Sequence, residues 1–184
     1  MKHVEYEERV MISKSNYQEI VEDIKSTYRN YQSLEIENTY LDNDDFFIYK
    51  SRKMLRVRTI NNKEKELTLK IKNTDGSCVE INETLESHPL IDKELNNQFN
   101  KFKPIASLKT KRIEVQIDDY LLVIDENKYS NITDYDIEIE AESQQKALQI
   151  LLKYCDLYHL EYNPKYKSKS HRAISKAIKK DEEC

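Results

Sequence analysis

Charge recurs at every second residue of this chain, in segment after segment, against equally regular apolar residues. Glu5, Glu7 and Arg9 alternate in the first such segment; Arg56 and Arg58 alternate with Leu55 and Val57. Glu66, Thr68, Lys70 and Lys72 alternate against Leu67, Leu69 and Ile71, and Glu138, Glu140 and Glu142 against Ile137, Ile139 and Ala141. A period of two places side chains on opposite faces of a strand. Each segment therefore reads as a strand with one charged and one apolar face. A half-buried sheet with a solvated face gives the same pattern. Three details favour a charged interior instead. The signs are segregated by strand, whereas a surface built for solubility mixes them. The arginines form a matched pair whose planar forks suit phosphate oxygens. The two Glu-x-Glu segments place carboxylates about 7 Å apart along a strand, able to converge on hard cations if the first and last strands are neighbours.

Taken in order, the pattern predicts strands over 4–10, 33–41, 54–60, 65–72, 78–83, 108–118, 120–126 and 135–141. Ser15 and Gln18 have capping-box spacing for a helix reaching Tyr28, and Phe46 to Tyr49 form a short apolar plug. Asn61-Asn62-Lys63 reads as a hairpin turn, and Thr74-Asp75-Gly76 as another built on the only glycine. A helix is expected over 90–102, a loop over 127–134, a helix capped by Ser143, and a short closing helix over 172–180. In the helix after Ser143 the buried stripe is Ala147, Ile150, Leu151, Tyr154, Cys155 and Tyr158. On the sixth strand, parity puts Thr110, Arg112, Glu114 and Gln116 on the polar face and Lys109 and Lys111 on the other. The fold class is mainly β (α+β): an eight-stranded antiparallel β-barrel forming a tunnel, with a polar charged interior and helices packed outside. It reads as a single domain over 1–175 with a charged tail over 176–184.

Composition narrows the functions open to such a barrel. One glycine rules out Gly-rich phosphate loops, so any phosphate must be held by side chains. A net charge of −4 argues against nucleic-acid binding through bulk charge. No apolar run approaches the roughly 20 residues of a membrane span, and no secretory h-region follows the N-terminus. Cys78, Cys155 and Cys184 are odd in number and widely spaced, which reads as reduced thiols of a cytoplasmic protein. His3, His88, His159 and His171 show no metal-ligand spacing.

In sequence order these residues resemble a CYTH domain, the triphosphate tunnel metalloenzyme superfamily, in its small bacterial form. Glu5, Glu7 and Arg9 match its N-terminal Glu-x-Glu-x-Lys with arginine for lysine; Arg56 and Arg58 match its Arg-x-Arg strand. Lys70 with Lys72, Glu80, Arg112, Asp125, and Glu138 with Glu140 match the following strands. Ser168-Lys169-Ser170-His171-Arg172-Ala173 matches the C-terminal element, with Lys167 a second candidate. Asn82 stands where a second acid sometimes occurs.

The resemblance implies metal-dependent hydrolysis of a triphosphate, inorganic triphosphate or thiamine triphosphate, by metal-activated water inside the tunnel. It implies that Arg9, Arg56, Arg58, Lys70, Lys72, Arg112, Lys167 and Lys169 grip phosphates. Glu5, Glu7, Asp125, Glu138 and Glu140 would hold Mg²⁺ or Mn²⁺, and Glu80, Arg58 and Lys70 would act in catalysis. The expected partner is a small triphosphate, with no nucleic acid and no membrane, on a monomer or homodimer. Adenylyl cyclase activity of the CYTH type and non-catalytic binding of polyphosphate or nucleotide remain as alternatives.

Overall fold

The computed structural model describes residues 2–74 and 77–182, without the side chains of Lys2, His3, Glu5, Glu64 and residues 179–182. The expected turn at Gly76, and Cys184, lie outside the described residues. Among the described residues the strands are β1 (Lys2–Ile12), β2 (Gln32–Asp42), β3 (Lys53–Ile60), β4 (Glu64–Lys72), β5 (Cys78–Glu83), β6 (Lys103–Ile117), β7 (Tyr120–Tyr129) and β8 (Ile132–Ala141). The α-helices are α1 (Lys14–Thr27), α2 (Phe47–Lys50), α3 (Pro89–Glu94), α4 (Gln144–Leu157) and α5 (Lys169–Glu182). The hydrogen-bonded strand order is β1-β5-β4-β3-β2-β6-β7-β8 and returns from β8 to β1, the order of a closed barrel. The chain divides into two compact units.

One unit holds residues 5–35 and 110–167. Here β8 pairs antiparallel with β1 on one side and β7 on the other. Val10, Leu122, Ile124, Ile137 and Ile139, with Ile113 and Val115, turn one face toward Ile20 and Ile24 of α1 and Ala147, Leu151 and Cys155 of α4. Burying each such aliphatic side chain contributes about 1.5–3 kcal/mol, so the apolar half of the alternation is what binds the helices to the sheet. Because β1 continues to Ile12, the chain turns into α1 at Ser13, whose Oγ accepts from the Asn16 amide at 3.1 Å. The expected cap, Ser15, already lies inside the helix. Ser143 caps α4 as expected, accepting from the Lys146 amide at 3.3 Å.

The expected loop over 127–134 is instead the end of β7 and the start of β8. Asn127 reads as a loop residue yet is buried, because Thr110 Oγ1 donates to its Oδ1 at 2.9 Å and its Nδ2 donates to Asp136 Oδ2 at 3.0 Å. Tertiary partners made a turn-former a ladder residue.

The other unit holds residues 36–109, the start of β1, and α5. β2, β3, β4 and β5 pair antiparallel in succession. Leu41, Leu55, Leu67, Leu69 and Ile81 pack on Ile48 of α2 and on Ile91 and Leu95 of α3. Asp42, a turn-former by type, is the buried last residue of β2: its Oδ1 accepts from the Ile48 amide at 2.9 Å and its Oδ2 from the Tyr49 amide at 2.8 Å, both in α2. The helix expected over 90–102 stops at Glu94, since Asn96 and Asn97 adopt left-handed φ of 52° and 56° before a short 3₁₀ turn, Phe99–Lys101. β6 starts at Lys103 and α5 at Lys169, both earlier than expected.

With glycine so scarce, left-handed backbone falls to other residue types, among them His159 at φ 52°. His159 closes α4, where the Leu160 amide donates to the Cys155 carbonyl at 2.8 Å, a Schellman bond. A left-handed histidine costs about 1–2 kcal/mol, partly offset by the greater unfolded-chain entropy of glycine. His159→Gly should therefore stabilise the protein by roughly 0.5–1 kcal/mol and raise Tm by about 1–4 °C. A lower Tm in a thermal melt would contradict this.

Candidate functional site

In the unit built on β2–β5, the face turned away from α2 and α3 is polar. β3 supplies Arg56 and Arg58; across from them on β2 stand Tyr40 and Asn38, and on β4 Thr68 and Glu66. Lys70 lies opposite Glu80 of β5. Arg56 and Glu80 are only 5% and 4% exposed. Lys70 Nζ is 2.8 Å from Glu80 Oε2, and Asn82 Nδ2 donates to Glu80 Oε1 at 2.9 Å. Arg58 Nε donates to Asn38 Oδ1 at 3.3 Å. Burial by itself would push the Glu80 carboxyl up; the charges of Lys70 and Arg56, with the hydrogen bonds from Lys70 and Asn82, outweigh it and hold the group at about 2. Arg56 is less well served. Its Nη2 is 3.9 Å from Glu80 Oε2, and neither Nε nor Nη2 has a hydrogen-bond partner. Buried N–H groups left in that state each cost about 1–3 kcal/mol, so this cluster is built to receive an anion.

The second unit carries the opposite sign. On the face turned away from α1 and α4, β7 contributes Asp125 and β8 contributes Asp136, Glu138 and Glu140. β1 lies alongside, with Glu7 opposite Glu140 and Arg9 opposite Glu138. Asp125 and Asp136 are 0% exposed and Glu138 2%. One oxygen of each lies within 4.8 Å of the others.

Two arginines partly neutralise these acids. Arg112 of β6 forks onto Asp125 at 3.0 and 2.9 Å and lies 3.7 Å from Glu138; Arg9 pairs with Glu7 and lies 3.3 Å from Glu138. Burial pulls the pKa of both guanidiniums down, and the surrounding carboxylates more than reverse it: Glu7, Glu138 and Asp136 at Arg9, and Asp125, Glu138 and Glu140 at Arg112. Two guanidinium charges against Glu7, Asp125, Asp136, Glu138 and Glu140 leave an acidic excess. Dry, hard oxygen donors at this spacing fit a small divalent cation.

The structure thus groups Arg56, Arg58, Lys70 and Glu80 in one unit, and Glu7, Arg9, Arg112, Asp125, Glu138 and Glu140 in the other. Lys72, at the end of β4, and Lys167, ahead of α5, are exposed; Lys169 is half-buried in the first turn of α5. Glu5 lies in β1 and its side chain is outside those described. Asp136 is the acid that the sequence reading missed. It has the same strand parity as Glu138 and Glu140, and extending Glu-x-Glu backward by one alternation would have found it. Asn127 had no signal, because only its contacts give it a role.

The CYTH domain model matches residues 3–174. A relative from Bacillus subtilis (strain 168), "Putative triphosphatase YjbK", is 26% identical over 162 residues, covering 82% of this chain and 84% of its own. Among solved structures, a "putative adenylate cyclase" from Bacillus halodurans superposes with a TM-score of 0.78 at 22% identity, covering 93% of this chain and 97% of that one. HpAC1 from Hippeastrum, a "putative adenylyl cyclase" described as revealing a dominant triphosphatase activity, gives 0.73 at 18% identity over 92% and 93%.

The depressed Glu80 pKa makes a prediction about acid stability. Its folded value lies below the ordinary 4.5, so the ionised carboxylate contributes stability that is complete above about pH 4.5 and is lost as pH falls toward about 2. Glu80→Gln, which strands Lys70 and Arg56, should cost about 3 kcal/mol at neutral pH, or roughly 6–12 °C in Tm. It should also flatten the acid limb of a Tm-against-pH curve; an unchanged limb would show that Glu80 is not held ionised.

Proposed function

The chain belongs to the CYTH domain family, and on that premise we propose that it is a divalent-metal-dependent triphosphatase. It splits a phosphoanhydride bond of inorganic triphosphate or thiamine triphosphate. The observation that carries the proposal is the buried Arg56, whose Nε and Nη2 have no hydrogen-bond partner among the described residues. Desolvated donors in that state call for an anion, and the arginine fork matches phosphate oxygens. Side chains alone form the grip, and a bare polyphosphate can be held that way without a base or sugar pocket.

Arg56, Arg58 and Lys70 bind phosphoryl oxygens, with Lys169 and the exposed Lys72 and Lys167 as outer arms; Arg9 and Arg112 add two more cations. Glu80, kept ionised, orients Lys70 and a water. Asp125, Asp136, Glu138, Glu7, Glu140 and Glu5 would hold Mg²⁺ or Mn²⁺. When bound, the cation neutralises phosphate charge and acidifies water. Phosphoryl transfer needs chiefly positioning and charge neutralisation, and side chains anchored on strands supply both with little reorganisation. The protein works as a cytoplasmic monomer or homodimer on a small substrate, without nucleic acid or membrane. Cys155 is a free thiol, and no helix among the described residues is long and apolar enough to cross a membrane.

A phosphate-release panel over tripolyphosphate, thiamine triphosphate and ATP, with Mg²⁺, Mn²⁺ or excess chelator, tests this. Release from tripolyphosphate should depend on added metal and vanish with chelator. Glu7→Gln and Arg58→Ala should each lower kcat/KM by about 10²–10³-fold while far-UV circular dichroism stays unchanged. Cyclic nucleotide from ATP, or binding of triphosphate without phosphate release, would overturn the proposal.

A further inference from the structure

Tyr40 belongs to β2, opposite Arg56, on the polar face of its unit. Its side chain is 0% exposed and its hydroxyl has no hydrogen-bond partner among the described residues. A buried tyrosine hydroxyl normally finds one, and one left without costs about 1–3 kcal/mol. The surroundings explain why none is found. The charges acting on the phenol are Arg56, Lys169, Arg58 and Arg172. Guanidinium and ammonium groups carry donors only. They can give to the phenol oxygen, but none can accept its proton. Asn38, two residues away on the same face of β2, accepts from Arg58 Nε through its Oδ1.

Burial pushes the Tyr40 pKa up, and the four cations, which pull it down, do not cancel that rise. The phenol therefore keeps its proton. Lys169 and Arg172 stand three residues apart at the start of α5, a spacing that shares one helix face. The phenol thus sits where β2, β3 and α5 contribute donors, and among the described residues its hydroxyl meets no acceptor.

We propose that the Tyr40 hydroxyl is a substrate-binding group that donates a hydrogen bond to a phosphoryl oxygen of the bound triphosphate. It is a neutral donor among the cations of the grip. The inference rests on the triphosphatase reading and adds a residue that the pattern of charges does not reveal. A neutral donor serves a purpose that another cation would not: it meets a phosphoryl oxygen directionally without adding to the repulsion among Arg56, Arg58, Lys169 and Arg172.

The test compares wild type with Tyr40→Phe, which removes one oxygen and keeps the ring. Binding of inorganic tripolyphosphate is measured by calorimetry in chelator, so that no turnover occurs, with Tm recorded for the ligand-free proteins. KM and kcat are then taken with Mn²⁺. A hydrogen bond to a charged group is worth about 1.5–3 kcal/mol, so Kd and KM should rise roughly 10- to 100-fold, with ligand-free Tm equal to or above wild type. Tyr40→Leu, which keeps an apolar side chain without the ring, should show the same rise in Kd even if its Tm falls. An affinity within twofold of wild type in the Phe variant overturns the inference, as does a lowered Tm with Kd unchanged, which would mark the hydroxyl as structural. Failure of the wild type itself to bind tripolyphosphate overturns the triphosphatase reading, and this inference with it.

Discussion

The guanidinium of Arg112 lies forked on the carboxylate of Asp125, which is wholly out of water. Charge taken out of water must be met by opposite charge or by hydrogen bonds, or it cannot stay. That requirement shapes both polar faces. Glu80 is held by Lys70 and Asn82, Asp136 by Asn127, and Glu138 by Arg9 and Arg112. Removing one partner from any of these sets would leave the other charged and dry. The strands must therefore keep the register that brings the partners level, such as Lys70 with Glu80 and Arg9 with Glu138.

The same register assigns the remaining residues. With charge on one side of each strand, aliphatic side chains fall on the other, and each unit covers that side with its own helices. Stability and chemistry are thereby separated within a single strand. Leu69 and Ile139 hold helices, while their neighbours Lys70 and Glu138 lie on the polar faces of their respective units. The polar faces are not internally balanced. Among the described residues the β2–β5 unit keeps unfilled donors at Arg56 and Tyr40, and the other unit gathers carboxylates at Asp125, Asp136 and Glu138. The first arrangement suits an anion and the second a cation, which is the basis of the proposed function.

Most of this was legible in the sequence because strand parity is local. Glu7, Arg9, Arg56, Arg58, Lys70, Glu138 and Glu140 declare a face by alternation with apolar neighbours. Where parity gave no signal, the reading failed or stopped short. Asn127 and Asp42 are turn-formers by type, yet the first became a ladder residue through Thr110 and Asp136, and the second ends β2 and accepts from amides of α2. Asn96 and Asn97 ended a helix that periodicity continued, because their left-handed backbone conformation leaves no mark on hydrophobic spacing. Asp136 was in the pattern and was passed over. Tyr40 carries no charge and so left no mark on the alternation of charges.

What the amino-acid order determined by itself was therefore the two-faced character of each strand, the sign of the charge on each face, and the family to which that pattern belongs. These depend on a residue and its neighbours two positions away, and so they survive without knowledge of the fold. What only the tertiary structure decided was which charges are matched and which are not. Whether Arg56 keeps unfilled donors, or the Tyr40 proton meets no acceptor, depends on side chains brought together from separate strands and a helix, and on the water excluded when they meet.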